Sequence, residues 1–420
     1  MPFTYKLSML LSLQDHYNEL LEILRDNRHC WEQEVLNFYP ASIDSAPREW
    51  MEALSGLSFD QLWLMDSKQD FSFLAIKGMR QCFEKLELLT ALPTKVIPVS
   101  PEFNQADAFF GVKEKKRHEI QRIAPVIKDL KNQIQFKRMI DIGGGQGHLG
   151  RVVSKHFGVE TLSVDRDPQL LQQGRKNVDR LKHRVMPDGA ASMEFAQINI
   201  QENEPAPDCF NHESFILGLH TCGDLAWHLM DYTDQAKSKG LLSFGCCYNK
   251  MKVSKDGFAH FGPAELPLDQ HTLTLATRGH RSASRSAFDL KLQVKRHRYA
   301  LHLFHYHERN IKRFYPMGET HPREYQGAFS EYALPRLEAY QISATKDELE
   351  EFYEKDWVVA LYKKMLCANL IRWQFGRALE MFILLDRAIK LSKMGLEVEL
   401  ATYFDESLSP RNIGILAIRK

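Results

Sequence analysis

Two extended segments close the chain, and they restrict its fold more than any other stretch. Glu397 to Phe404 alternates polar with apolar residues, Asp405 to Arg411 reads as a turn, and Asn412 to Ile418 runs mostly apolar. Strands joined by so short a loop pair antiparallel. Upstream, apolar runs at 138–142, 160–165, about 193–199, 214–220 and 240–246 alternate with amphipathic stretches, notably Pro168 to Leu181. That alternation predicts a parallel sheet with helices on both faces. The fold class expected is α/β, a doubly wound Rossmann-like sheet with a C-terminal antiparallel hairpin, a feature that ordinary nicotinamide domains lack.

Ile140 to Gly150 follows the first apolar run and opens an amphipathic segment, Leu149 to Phe157, so it reads as strand, tight turn and helix. Closely spaced glycines let backbone pass near a ligand, and the helix start offers unpaired N–H donors. Asp165 ends the second run, roughly 20 residues past the turn, where a carboxylate suits the hydroxyls of a ribose. Gly145, Gly147 and Gly150 satisfy G-x-G-x-x-G, which alone is a weak dinucleotide signal. Asp141 discriminates. It would repel a pyrophosphate in a partly dry cleft and attract the sulfonium and ammonium of S-adenosyl-L-methionine. Asp141, Gly143, Gly145 and Gly147 resemble the first motif of class I methyltransferases. The predicted cofactor is S-adenosyl-L-methionine; a nicotinamide oxidoreductase and a glycine turn with no ligand are the competing readings.

Nothing global demands a polyanionic partner: the 420 residues carry a formal net charge of +1, with 44% hydrophobic and 26% charged residues. The length suits two or three domains. Seven cysteines without disulfide spacing suit an intracellular protein, cytoplasmic or nuclear. Met1 to Leu13 lacks a signal-peptide cleavage pattern, and no run approaches the roughly 18 apolar residues of a membrane span.

Residues 1–105 carry helical periodicity and are read as a helical N-terminal domain, a possible surface for a protein partner. Trp31, Trp50 and Trp63 sit at helical spacing, which favours core over a base-stacking platform. Pro93, Pro98 and Pro101 mark a linker. Residues 106–420 form the second domain, with a basic and helical insertion at about 252–393. Within it, Gly279 to Arg313 gathers Lys or Arg at 281, 285, 291, 295, 296, 298, 309, 312 and 313, opposed by Asp289 and Glu308. Phe288, His297, Tyr299, His302, Phe304, His305, Tyr306 and His307 are interleaved. Two readings stand: a surface for RNA, with Arg296 on the substrate, or an amphipathic helix with a solvated basic face. Lys116 and His118, in the basic start of the helix before strand one, would lie at the mouth of the cofactor cleft.

Ligands of doubly wound sheets sit beyond the carboxyl ends of the strands. His220, ending strand four, could take a proton from a substrate, hydrogen-bond substrate or cofactor, or serve structure alone. Asp224 is expected to cap the next helix. Cys222 is a candidate nucleophile or a core thiol, with no basic partner visible in sequence. Tyr248 and Lys250 would line the acceptor pocket. Asn199, with Gln201 nearby, closes strand three where many methyltransferases hold the adenine with an acid. His220, Cys222, Cys246 and Cys247 have zinc-ligand chemistry. Adjacent cysteines rarely share one metal and no C-x-x-C is present, so no metal is expected.

Several segments, in order, resemble the methyltransferase-like protein 25 family: Lys115 to Glu119, Asp141 to Gly150, Gly218 to Leu225, Gly245 to Tyr248, Leu384 to Arg387 and Leu408 to Asn412. The His-x-Cys-Gly segment and the Cys-Cys pair are also similar to a tRNA 2′-O-methyltransferase family that modifies the acceptor stem. The first resemblance implies an S-adenosyl-L-methionine-binding fold of undefined substrate, the second an RNA ribose or base. The expected function is therefore a methyltransferase acting on RNA. His220, Cys222 and Tyr248 are its catalytic candidates; Asp141, Gly143, Gly145, Gly147, Asp165, Asn199 and His220 face the cofactor; Lys116, His118, Lys250 and Arg296 face the substrate. The alternatives are a cofactor-binding pseudo-enzyme acting as an interaction protein, and a methyltransferase of protein or small molecules.

Overall fold

The computed structural model describes residues 11–99, 103, 109–182, 191–201, 204–254, 266, 268–316 and 320–420. Most of the stretch read for a targeting signal, Met1 to Leu13, and Pro101 of the linker lie outside the described residues.

Seven strands form one sheet: β1 Arg138–Ile142, β2 Glu160–Asp165, β3 Met193–Gln197, β4 Ser214–Thr221, β5 Gly240–Gly245, β6 Glu397–Thr402 and β7 Ile413–Ile418. Their order is β3-β2-β1-β4-β5-β7-β6. The first five are parallel, and β7 is antiparallel to both β5 and β6. The strand order reverses beside β1, which pairs with β2 on one side and β4 on the other. A crevice opens at such a switch point, and here the glycine turn follows β1 into it. Central β4 and β5 are almost wholly buried, whereas edge strand β3 is half-buried to exposed throughout and β6 mixes buried with exposed positions. The free edge of β6 is covered by the proline-rich stretch: the Lys95 N–H donates to the Thr402 carbonyl at 2.8 Å, and the Thr402 N–H to the Pro93 carbonyl at 2.9 Å.

Helix α1 (Glu114–Ile134) leads into β1, and α2 (His148–Phe157) follows the glycine turn. Ile120, Ile123, Ile127 and Leu130 keep the helical period on α1 and share one apolar core with Leu149, Val152 and Val153 of α2, Phe215 and Leu217 of β4, and Tyr403. Helices α3 (Pro168–Lys182) and α4 (Leu225–Gln235) complete the alternation. The sheet, its crossover helices and the terminal hairpin thus follow the sequence expectation, with strands three and five ending earlier than read, at Gln197 and Gly245.

The compact units do not follow the expected boundaries. One comprises Met1–Glu19, Thr90–Thr277 and Glu380–Lys420, and holds the sheet. The other joins Leu20–Leu89 with Arg278–Leu379, and is helical. In this second unit Trp31 and Trp50 are buried, and Trp63 packs on Phe288 with ring centroids 5.6 Å apart. Trp31 and Trp50 are core residues, and Trp63 is half-buried against Phe288.

Candidate functional site

Three glycines of the turn after β1 adopt left-handed backbone: Gly143 at φ 68°, Gly145 at φ 55° and Gly147 at φ 66°. A Cβ on Gly143 would meet nothing within 4 Å, so the turn presents open backbone to the cleft. One on Gly147 would strike Met193 and Phe195, which explains why that position admits no side chain. The Gly143 N–H donates to the Val164 carbonyl at 2.8 Å, tying the turn to the end of β2. The Gly145 N–H donates to Asp165 Oδ2 at 3.0 Å. Asp165 thereby stands opposite the turn at the carboxyl edge of the sheet.

Asp141 is 3% exposed, at the end of β1 beneath Gly144. Burial, countered by Lys116 and reinforced by Asp165, pushes its carboxyl up to about 6. The buried Ser163 hydroxyl beside it has no hydrogen-bond partner among the described residues. A desolvated carboxylate is unfavourable unless a cation comes to it. Asn199 is exposed and lies two residues past β3, at the same sheet edge.

The residue that sequence reasoning missed is Glu119. It lies on α1, 1% exposed, and its Oε1 is 2.8 Å from His220 Nε2 and 2.8 Å from the Ser409 hydroxyl. Lys116 Nζ lies 3.7 Å from Oε2. Burial raises this carboxyl, but the hydrogen bond and charge of His220, with Lys116 and Ser409, hold it down at about 2. His220 itself sits at φ 64° where the β4–β5 register shifts. A non-glycine residue held there costs about 1–3 kcal/mol, and such outliers gather at functional sites. His148 also faces this region; burial, Arg151 and Lys116 depress it to about 4.

Cys222 Sγ lies 3.0 Å from Cys246 Sγ, and Cys246 Sγ lies 3.7 Å from Cys247 Sγ. The Cys222 thiol is lowered to about 6, chiefly by its hydrogen bond to Cys246, with Cys247, Lys250 and His220 adding to it against burial. A basic neighbour invisible in sequence is therefore present: Lys250, exposed, three residues after Cys247.

Other expectations are corrected. The Tyr248 hydroxyl is buried and donates to Glu380 Oε1 at 3.1 Å, while Arg411 Nη1 lies 3.2 Å from Glu380 Oε2. Its phenol, raised well above its ordinary range by burial and Glu380, is a packing element and not an open catalytic group. His118 Nε2 accepts the Asp405 N–H at 3.1 Å, so it latches the hairpin turn. Asp224 makes no side-chain cap on α4; its carboxylate accepts the Lys252 N–H at 3.0 Å.

Arg296 lies in the helical unit, paired with Glu354 at 3.0 Å and 4.2 Å from the centroid of the Tyr353 ring. Other cations of 279–313 are paired too: Arg281 with Glu87, Arg285 with Asp60, Lys291 with Asp66 and Arg309 with Glu348. Phe288, His297, Tyr299, His302, Phe304 and His305 of the same segment are buried. Five of the nine cations of this segment are thus answered by carboxylates within the unit.

Residues 115–254 match a family model described as a methyltransferase domain. Over 151 residues the chain is 25% identical to the probable methyltransferase-like protein 25 of Mus musculus. That match covers 32% of this chain and 25% of the relative, so the chain spans about a quarter of the curated relative's length. Similar solved structures include the methyltransferase domain of bacterial CtHen1 (TM-score 0.24, 14% identity, 31% of this chain and 69% of that one). Human N-acetylserotonin methyltransferase in complex with its methyl donor gives a TM-score of 0.20 at 16% identity, covering 42% of this chain and 48% of that one. Likenesses at these scores identify neither a substrate nor a site residue.

Proposed function

We propose that this chain, which carries a class I methyltransferase domain, transfers a methyl group from S-adenosyl-L-methionine to a weakly acidic hydroxyl or ring nitrogen. The observation that supports it most is Asp141: a buried carboxylate at the head of an open glycine turn, with an orphaned Ser163 hydroxyl beside it. That donor set fits a cationic ligand and opposes a pyrophosphate. The cofactor supplies an electrophilic methyl group on sulfur. Asp165 and the left-handed glycines would hold its nucleoside, and Asp141 would face its cationic end.

Methyl transfer asks the protein for alignment, and for proton removal where the acceptor is weakly acidic. Glu119 bonds Nε2 of His220 and so orients the ring at the end of β4. The ionised carboxylate stabilises the ring once it has taken a proton, so His220 serves as the base and Glu119 as its positioning residue. Ribose hydroxyls and nucleobase ring nitrogens meet this description, which keeps RNA as the proposed substrate. That proposal rests on the Glu119–His220 pair and not on the basic helix.

Calorimetry with S-adenosylhomocysteine and with NADH tests the cofactor; binding of the first alone is expected, and Asp165→Ala should abolish it without unfolding the chain. NADH binding in preference would refute the reading. Labelled cofactor incubated with total RNA and with lysate protein then separates a transferase from a protein that binds cofactor without turnover.

A further inference from the structure

The turns after β4 and β5 bring three thiols together at the carboxyl edge of the sheet. Cys222, Cys246 and Cys247 offer Sγ atoms that all lie within 4.8 Å of one another. In a strand, adjacent cysteines would point to opposite faces. Here β5 ends at Gly245, and Cys247, at φ −60° and ψ 70°, turns the chain into a short 3-10 helix, Tyr248–Lys250. Both sulfurs of the Cys246-Cys247 pair therefore reach the same third thiol, an outcome the strand period conceals.

Both turns are clamped. The Cys247 carbonyl accepts the Gly223 N–H at 3.3 Å and the Lys250 N–H at 2.9 Å, locking one thiol-bearing turn against the other. Gly223 adopts φ 61°, and a Cβ there would lie 2.7 Å from the Lys250 carbonyl oxygen. A Cβ on Gly245 would lie 2.9 Å from both Arg387 and the Tyr248 hydroxyl. The thiols are held by rigid backbone, as a preformed ligand set requires.

The geometry points to a zinc(II) site formed by Cys222, Cys246 and Cys247, with its fourth position open at the acceptor edge. Tetrahedral zinc with sulfur at about 2.3 Å separates its sulfurs by about 3.8 Å. The separations of 3.0 and 3.7 Å, with every sulfur inside 4.8 Å, need only small side-chain rotations to reach that figure. Three thiolates on a divalent cation carry one net negative charge, and Lys250, whose backbone N–H donates to the Cys247 carbonyl at 2.9 Å, brings a positive charge to the same turn. Three protein ligands with one open position is the arrangement of zinc sites that take an exogenous ligand. Cys246 is buried, while Cys222 and Cys247 are partly open, so the fourth position faces solvent. Binding releases the thiol protons to solvent and changes no oxidation state.

The test is Zn2+ affinity of the full chain, kept reduced, by competition with a chromogenic chelator. One tightly held zinc per chain is expected. Cys222→Ser and Cys247→Ser should each weaken it by at least the roughly 10–100-fold that losing even an outer-shell partner costs. Cys209→Ser, outside the cluster, should leave it unchanged. Because Cys246 is buried and its substitution risks misfolding, the two partly exposed cysteines carry the decision, with circular dichroism confirming the fold. Zinc retained by a Cys222→Ser/Cys247→Ser double variant, or no stoichiometric zinc on the reduced wild-type chain, would each overturn the proposal. The readout needs no methyl transfer, so it is independent of the proposed activity.

Discussion

Asp141→Asn should make the cofactor-free protein more stable while destroying its ability to bind the cofactor. The wild-type carboxyl is pushed from an ordinary 3.8 to about 6, chiefly by burial. A rise of roughly two in pKa corresponds to about 3 kcal/mol. Because the folded-state value is the higher one, the favourable contribution is full below about 3.8 and lost as pH rises through about 6. At about pH 7.5 the ionised group therefore burdens the fold by about 3 kcal/mol, and a neutral amide relieves most of it. For a domain of about 150–250 residues, with about 2–4 °C per kcal/mol, the variant should melt roughly 6–12 °C higher. At about pH 4 wild-type Asp141 is itself protonated, and the difference should shrink below about 1 kcal/mol. Scanning calorimetry at both pH values, with and without S-adenosylhomocysteine, reads the whole pattern. A variant that melts lower than wild type near neutrality, or a difference indifferent to pH, would refute the idea of a carboxylate waiting for a cation.

Two further outcomes are expected. Glu119→Gln, which keeps the shape but not the charge, should lower kcat more than KM by about 10–100-fold and move the acid limb of the pH–rate profile, whereas a merely structural Glu119 would lower stability and leave the profile in place. The helical unit should lose stability as pH falls below about 6.5: burial, with His305 also acting on His302, depresses His302 to about 3, and burial depresses His305 to about 4, so unfolding takes up two protons. Urea titrations should show a slope of about 2.7 kcal/mol per pH unit from these groups between about pH 6 and 4, and His302→Leu should halve that contribution.

The sheet was legible in sequence because its signals are local. A strand with period two, a glycine turn and a helix with period 3.6 each declare themselves within a dozen or so residues, and the short 405–411 turn dictates the antiparallel pair. The glycine turn and the acid opposite it were legible for the same reason, since Gly143 to Gly147 and Asp165 occupy ends of predicted strands. Glu119 was not, because its partners His220 and Ser409 are 101 and 290 residues away. Its one local signal was an acid placed within a basic run, three and four residues after Lys116 and Lys115. The ion pairs of the basic segment were hidden by the same separation: Lys291 and Asp66, 225 residues apart, meet only once folded. Tyr248 was misjudged because burial of its hydroxyl is set by Glu380, 132 residues on, in the last helix of the insertion.

Ser409 donates to the same Glu119 oxygen that faces His220. A ribosome must therefore deliver residue 409 before this hydrogen-bonded trio is whole, although the glycine turn and Asp165 have emerged hundreds of residues earlier. If the proposed roles hold, a lesion in the 405–411 turn should disturb the Glu119–His220 pair while leaving the glycine turn and its bond to Asp165 in place.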